Sequence, residues 1–274
     1  MSRKVCIGLV QAASVLGEKR VNVEKGVGLI ADAAAQGAQI VVLPELFTTG
    51  YDLEDKQFVA LAEKADGESV RAFRQAAKEC GVYVQVGYVE TRNVPGVIYN
   101  SVAFIDPEGK LVDSYAKSHL FAGERMHFAR GDVFSVHDTE YGRFANMICY
   151  DIGIGEVGRI VSLMGAECML VSSAWCKEDE DIWDHDCIAR ACDNLCFVAA
   201  CNAVGESKHL HLIGKSKFLA PRGNLVSEAP LDTETVLVQT IDLDQVAQAR
   251  RRCLYMMDRR PELYGLLTEM GSGR

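Results

Sequence analysis

Along this chain, short continuous runs of apolar residues alternate with stretches whose apolar positions recur every three or four residues. The first run, residues 4–11, predicts a strand. Residues 22–36 carry Val23, Val27, Ile30, Ala31 and Ala34 at helical spacing, and Gly37 closes that helix. A second apolar run, residues 38–43, reads as a strand buried on both faces and stops at Pro44, with Glu45 beside it. Residues 69–80 predict another amphipathic helix, with Val70, Phe73, Ala76 and Ala77 on one face. The pattern then changes to three consecutive strands, 82–89, 99–105 and 110–115. The last two are joined by the turn Asp106-Pro107-Glu108-Gly109, so an antiparallel ribbon is expected to feed into Lys117.

The second half repeats the rhythm of the first. An apolar strand from residue 142 ends on Cys149, a Gly-punctuated turn follows, and a helix then carries Val157, Ile160, Val161 and Met164. A strand over 168–173 leads to Trp175, an acidic loop over 177–181, a helix over 182–194 and a strand over 196–204. Strand-helix-strand-helix-strand thus occurs twice with the ribbon between, and two packed sheets with helices outside is the economical arrangement. The last strands, 213–220, 225–227 and 236–241, read as a meander with Pro221-Arg222-Gly223-Asn224 as a turn. Residues 244–264 read as a helix and a basic segment that dock on the body or on a second subunit, and 271–274 as frayed. No Pro/Ser-rich linker and no short repeat interrupts the 274 residues, so a single domain over 1–274 is expected.

Composition narrows the classes. With 49% hydrophobic residues and only 6 prolines the chain can fill a large core. A net charge of −9 and no basic run longer than Arg250-Arg251-Arg252 argue against nucleic acid as a partner. No apolar run approaches the roughly 18 residues needed to span a bilayer, and residues 1–6 lack a secretory pattern, so a cytoplasmic protein without membrane partners is expected. The 10 cysteines are then read as free thiols in a reducing compartment. Cys187, Cys192 and Cys196 show neither C-x-x-C pairs nor interleaved histidines, so no metal is expected.

Three strand ends carry candidate chemistry. Cys149 sits at a strand-to-helix junction, where unpaired backbone N–H groups are expected to favour a thiolate nucleophile; its alternative is a small buried hydrophobe. Glu45, at the end of a buried strand, is costly without a partner or a task. Lys117 ends the ribbon close in sequence to Glu124. For both strand-end charges the plain alternative is a solvated loop residue.

Taken in order, Val41-Val42-Leu43-Pro44-Glu45-Leu46-Phe47 with Gly50-Tyr51, then Lys117-Ser118-His119-Leu120, then Glu124 with Phe128 and Gly131, then Cys149-Tyr150-Asp151 with Glu156 and Arg159, resemble the nitrilase superfamily of carbon-nitrogen hydrolases. Later blocks agree, among them Ala189-Arg190-Ala191, Gly214-Lys215-Ser216 and Pro221-Arg222-Gly223. The resemblance implies an α/β fold, a four-layer α-β-β-α sandwich. It implies Glu45, Lys117 and Cys149 as the catalytic set with Glu124 as a fourth polar residue, and loops at Phe47, Tyr51, His127, Tyr150 and Trp175 around the substrate. It implies no metal or organic cofactor, and homodimers or larger assemblies with the helices after Cys149 and Trp175 at the interface. Tyr150-Asp151 resembles amidase and carbamoylase members more than nitrilases, which often carry Trp-Glu. The expected activity is hydrolysis of a small aliphatic amide or N-carbamoyl compound; a nitrilase, or an idle binding protein on the same fold, is the alternative. Ile154-Gly155 departs from the aromatic-Pro pair common before the glutamate, and Glu156 and Arg159 have the spacing of a structural ion pair. The acidic stretch 178–181 with Asp184 and Asp186 reads either as a solvated face or as counter-charge for an amine-bearing substrate.

Overall fold

Each half of the chain builds most of one sheet. The structure, a computed structural model, describes residues 3–269. The first half gives β1 (Lys4–Gln11), α1 (Lys19–Ala35), β2 (Ile40–Val42), α2 (Asp55–Leu61), α3 (Glu68–Cys80), β3 (Tyr83–Thr91), β4 (Ile98–Ile105) and β5 (Leu111–Ala116). The second gives β6 (Val136–Asp138), β7 (Arg143–Ile148), α4 (Gly155–Leu163), β8 (Cys168–Ser173), α5 (Glu180–Asn194) and β9 (Phe197–Asn202). Then come β10 (Val204–Glu206), β11 (His211–Ile213), β12 (Lys217–Leu219), β13 (Leu225–Glu228), β14 (Thr235–Asp242) and α6 (Asp244–Arg252).

The strands form two six-stranded mixed sheets, β14-β1-β2-β3-β4-β5 and β13-β12-β9-β8-β7-β6, with β10-β11 as a separate pair. In the centre of each, three strands run parallel, β1-β2-β3 and β7-β8-β9. Alternate residues of these strands serve different layers. Ile7, Leu9, Ile40 and Val42 meet Phe144, Leu170, Phe197 and Phe218 between the sheets. Val41, Leu43 and Val84 face Ile30 and Phe73 of α1 and α3 on one outside. Met147, Val171 and Val198 face Val157, Val161 and Trp183 of α4 and α5 on the other. Both faces of the central strands are therefore dry, which is why they read as continuous apolar runs. Each fully buried side chain of this size contributes about 1.5–3 kcal/mol.

Several expectations need correction. The last strand does not join a C-terminal meander. β14 pairs antiparallel with β1 from Lys4↔Asp242 to Gln11↔Thr235, because β1 otherwise leaves its sheet with an open edge. The run 213–220 is broken between β11 and β12 by left-handed backbone at Gly214 and Lys215. Helix α2 was not legible, since only Phe58 of its seven residues is buried. Ile160 and Met164, expected on the inner face of α4, are exposed. Glu156 and Arg159 do not pair; Arg159 Nη1 lies 2.8 Å from Met256 Sδ in the tail. The start of the tail docks on the body, with Val246 and Ala249 buried and Arg250 Nη2 donating to Ala166 O. Residues 271–274 lie outside the described residues. All ten cysteines are free, and no described helix is long and apolar enough to cross a membrane.

Candidate active site

The ends of β2, β5 and β7 converge. Glu45 follows β2 through Pro44, and the chain reverses at Leu46 in left-handed backbone, φ 48°. Strand β3 passes so close beneath that a Cβ on Gly87 would stand 2.5 Å from Pro44 O and 2.4 Å from Leu46 N, so only glycine admits the Glu45 turn here. The Glu45 carboxylate is buried and fully hydrogen-bonded. Oε1 accepts from Lys117 Nζ at 2.6 Å and Asn100 Nδ2 at 2.7 Å, and Oε2 accepts from Ala174 N at 3.0 Å. Burial pushes its pKa up to about 7, with Lys117 pulling the other way.

Lys117, just past β5, is fully buried, and its backbone N–H donates to Asn100 O. Its ammonium bridges Glu45 and Glu124, the latter at 2.7 Å. Burial opposes that charge, but Glu124 and Glu45 outweigh it and hold the pKa well above the lysine range. Glu124 lies in a short 3₁₀ turn, Ala122–Met126, where Tyr51 OH donates to Oε1 at 2.6 Å and Phe121 N to Oε2 at 2.8 Å.

Cys149 opens a second 3₁₀ turn, Cys149–Gly153, in left-handed backbone, φ 45°. A non-glycine residue held there is strained, and the neighbours must fix it. Asp151 does so: it accepts from Ile148 N, Tyr115 OH, Ser118 Oγ and His119 N, tying the cysteine turn to the loop that carries Lys117. The expectation of an easily ionised thiol is wrong for this resting arrangement. Burial and the Glu45 charge push the Cys149 pKa well above the thiol range, while Lys117 and the Ala174 N–H pull it down only in part. Seclusion outweighs the backbone N–H groups that the sequence argument relied on. Burial thus favours the neutral thiol over the thiolate, and Glu45, whose pKa is raised to about 7, is the neighbouring base.

Cys149 and Glu124 open onto a cavity of about 420 Å³. Of the residues expected around a substrate, Tyr51, His127, Tyr150 and Trp175 line it. Phe47 does not. It is completely buried against Gly26 and Phe73 under α1 and α3, because the reversal at Leu46 turns it into the core. Among the contributors that the residue pattern did not single out are Phe58, on the unforeseen α2, Asp52 and Leu210 on the cavity wall, and Asn100, whose only signal was an amide beside Ser101 within β4.

The profile of the family described as Carbon-nitrogen hydrolase matches residues 6–251. This chain belongs to that family. Among relatives of the hydrolase, a 2-oxoglutaramate amidase of Bacillus subtilis is 32% identical over 264 residues, covering 95% of this chain and 100% of that protein. A carbon-nitrogen hydrolase of Helicobacter pylori G27 superposes with a TM-score of 0.92 at 26% identity, over 98% of this chain and 99% of the other. A variant of a Nesterenkonia amidase from the nitrilase superfamily superposes with a TM-score of 0.84 at 25% identity, over 96% of each. The hydrolase thus has the α/β architecture of the nitrilase superfamily, as its ordered blocks led us to expect.

Proposed function

We propose that this carbon-nitrogen hydrolase is an amidase that cleaves small aliphatic amides or N-carbamoyl compounds through a thioester on Cys149, releasing ammonia. The observation that carries this reading is the buried Glu45–Lys117–Glu124 group beside a cysteine that faces a cavity. An amide is a poor electrophile and ammonia a poor leaving group, so the reaction needs a strong nucleophile, a proton carrier and donors for the oxyanion.

In this reading Glu45 takes the Cys149 proton as sulfur attacks the carbonyl carbon. Lys117 Nζ and the Tyr150 backbone N–H face the oxyanion. Glu45 returns the proton to nitrogen, the C–N bond breaks and ammonia leaves. Water then gives a proton to Glu45 and its oxygen to the thioester carbon; the C–S bond breaks, the acid leaves and the proton returns to sulfur. A carboxyl with a pKa near 7 suits a group that must accept and donate in one cycle. Glu124 keeps the ammonium oriented through its hydrogen bond to Lys117 and positions the substrate amide. The same relative named for an amide substrate supports amide over nitrile chemistry, as does Tyr150-Asp151 after the cysteine.

The test is ammonia release from matched amide, N-carbamoyl and nitrile panels, with hydroxylamine added to trap the acyl-enzyme as a hydroxamate. Amide or carbamoyl turnover that Cys149→Ala abolishes in a folded protein is expected; turnover of nitriles alone would reverse the assignment.

We also infer that the protein is cytoplasmic and a homodimer or larger homo-oligomer. Ten free thiols suit a reducing compartment. Ile160, Leu163 and Met164 on α4, Ile188 on α5 and Leu254 and Met257 in the tail leave apolar surface that a second copy would cover. Sedimentation of the wild-type chain against Leu163→Asp tests it, and a monomeric wild type would end it.

A further inference from the structure

The wall of the active-site cavity is unevenly charged. Four carboxylates line it, those of Asp52, Glu124, Asp179 and Asp186, and among the described residues no lysine or arginine does. The ammonium of Lys117, behind Glu124, is already held by Glu45 and Glu124. The imidazole of His127 faces Asp55 at 3.3 Å. A substrate carboxylate entering here meets no free cation.

The carboxylates differ in how far they are already committed. Glu124 accepts from Lys117, Tyr51 and Phe121. Asp52 accepts from Ser207 Oγ at 2.6 Å and from the backbone and ring of His209, which keeps it ionised at the rim. Asp186 is different: it is half-buried, and its carboxylate accepts no hydrogen bond among the described residues. Burial opposes its charge, and Arg190 and His185 relieve this only through space. An ionised group so placed gains from a cation that arrives.

Local sequence explains how Asp186 reaches the cavity. A Cβ on Gly153 would stand 3.0 Å from Asp186 Oδ2, and one on Gly155 would stand 3.0 Å from Arg190 Nη1. The small residues around Ile154, where the chain departs from the family pattern, leave room for α5 to bring its acid beside the nucleophile turn. Of the other acids in this stretch, Glu180 is engaged by Lys177 and Lys215 and Asp184 by Lys215 and Lys217, while Glu178 and Asp181 are exposed to solvent. The acidic stretch therefore divides into an outer part, ion-paired at Glu180 and Asp184 and solvated at Glu178 and Asp181, and a cavity-facing part, Asp179 and Asp186. Tyr51, Phe121, Tyr150 and Trp175 complete the wall, and aromatic faces attract an alkylammonium as carboxylates do.

We propose that this site selects an amide or N-carbamoyl compound bearing an ammonium group at the end remote from the scissile bond, with Asp186 as its counter-charge. The proposal rests on the amidase reading and narrows it to cationic substrates. It separates this chain from its relative named for 2-oxoglutaramate, an anion.

The experiment compares δ-aminovaleramide, valeramide and glutaramate, chains of similar length ending in a cation, a methyl group and an anion. At low salt the cationic amide is expected to exceed the neutral one about tenfold in kcat/KM, and the anionic one about a hundredfold, with both gaps narrowing as salt rises. Asp186→Asn is expected to lower the cationic-to-neutral ratio about tenfold; a ratio measured in one preparation is insensitive to the fraction that folds. Equal or better turnover of the neutral or anionic amide, or a ratio that Asp186→Asn leaves unchanged, overturns the preference alone. No ammonia from any of the three, nor from the amide and N-carbamoyl panels above, overturns the amidase reading and the preference with it.

Discussion

Lys117 and Lys217 are both buried lysines, each held by two carboxylates. Lys117 lies between Glu45 and Glu124, and Lys217 between Asp184 and Glu228. The carboxylates differ in what else they touch. Those around Lys117 are 0% and 5% exposed, whereas those around Lys217 are 35% and 30% exposed. Burial therefore pushes Glu45 up to about 7 despite Lys117. At Asp184 the burial is partial, and Lys215 and Lys217 outweigh it and hold the carboxyl below its usual range. Access of water to the partner thus decides which cluster holds a carboxyl that exchanges a proton near neutrality. The Lys217 cluster braces α5 against β12 and β13; the Lys117 cluster adjoins a cysteine and a cavity.

The sharpest way to break this contrast is Glu45→Gln, which keeps the shape but removes the proton carrier. It is expected to lower kcat/KM about a thousandfold in the ammonia assay, and near-normal activity would mean that Glu45 is only structural. Next comes pH. If Glu45 must be ionised to take the thiol proton, kcat/KM falls on acidification with a midpoint near 7, and by about a hundredfold two pH units lower, a limb that belongs to the coupled group as a whole.

Stability moves in opposite directions at the two clusters. The raised Glu45 contributes most below the ordinary carboxylate range, and its contribution is lost as pH rises through about 7. The depressed Asp184 contributes above that range and is lost as pH falls through its lowered value. Tyr51→Phe, which deletes one donor to Glu124, is expected to cost about tenfold in kcat, while a change confined to KM would assign the hydroxyl to substrate instead. The smallest effect is expected at Asp184→Asn, with activity within about twofold and a loss of about 1 kcal/mol in urea unfolding. A large kinetic loss there would erase the distinction between the clusters.

What the sequence reveals follows from the range of each interaction. The central strands were legible because both of their faces are dry, and Glu45 and Cys149 because each is a polar residue just past such a strand; Lys117 instead follows β5, a partly exposed edge strand, and stood out through its place in the ordered family blocks. Phe47 was misplaced because its direction depends on one left-handed residue, Leu46. β14 was misplaced because partner choice between distant strands leaves no local trace. The state of the Cys149 thiol was misread because its nearest influences are a carboxylate far away in sequence and the depth of burial, neither of which spacing reveals. Asp186 stood out only as one of several acids until α5 set it beside Gly153.

The pairing of β14 with β1 also bears on the order of assembly during translation. All six strands of the sheet that carries Cys149 lie between residues 136 and 228, so they are made, and emerge, ahead of residues 235–242. The sheet begun at β1 is the last to close. Until it does, β1 presents a bare rim of backbone donors and acceptors, the surface on which chains still under synthesis would cross-pair with their neighbours.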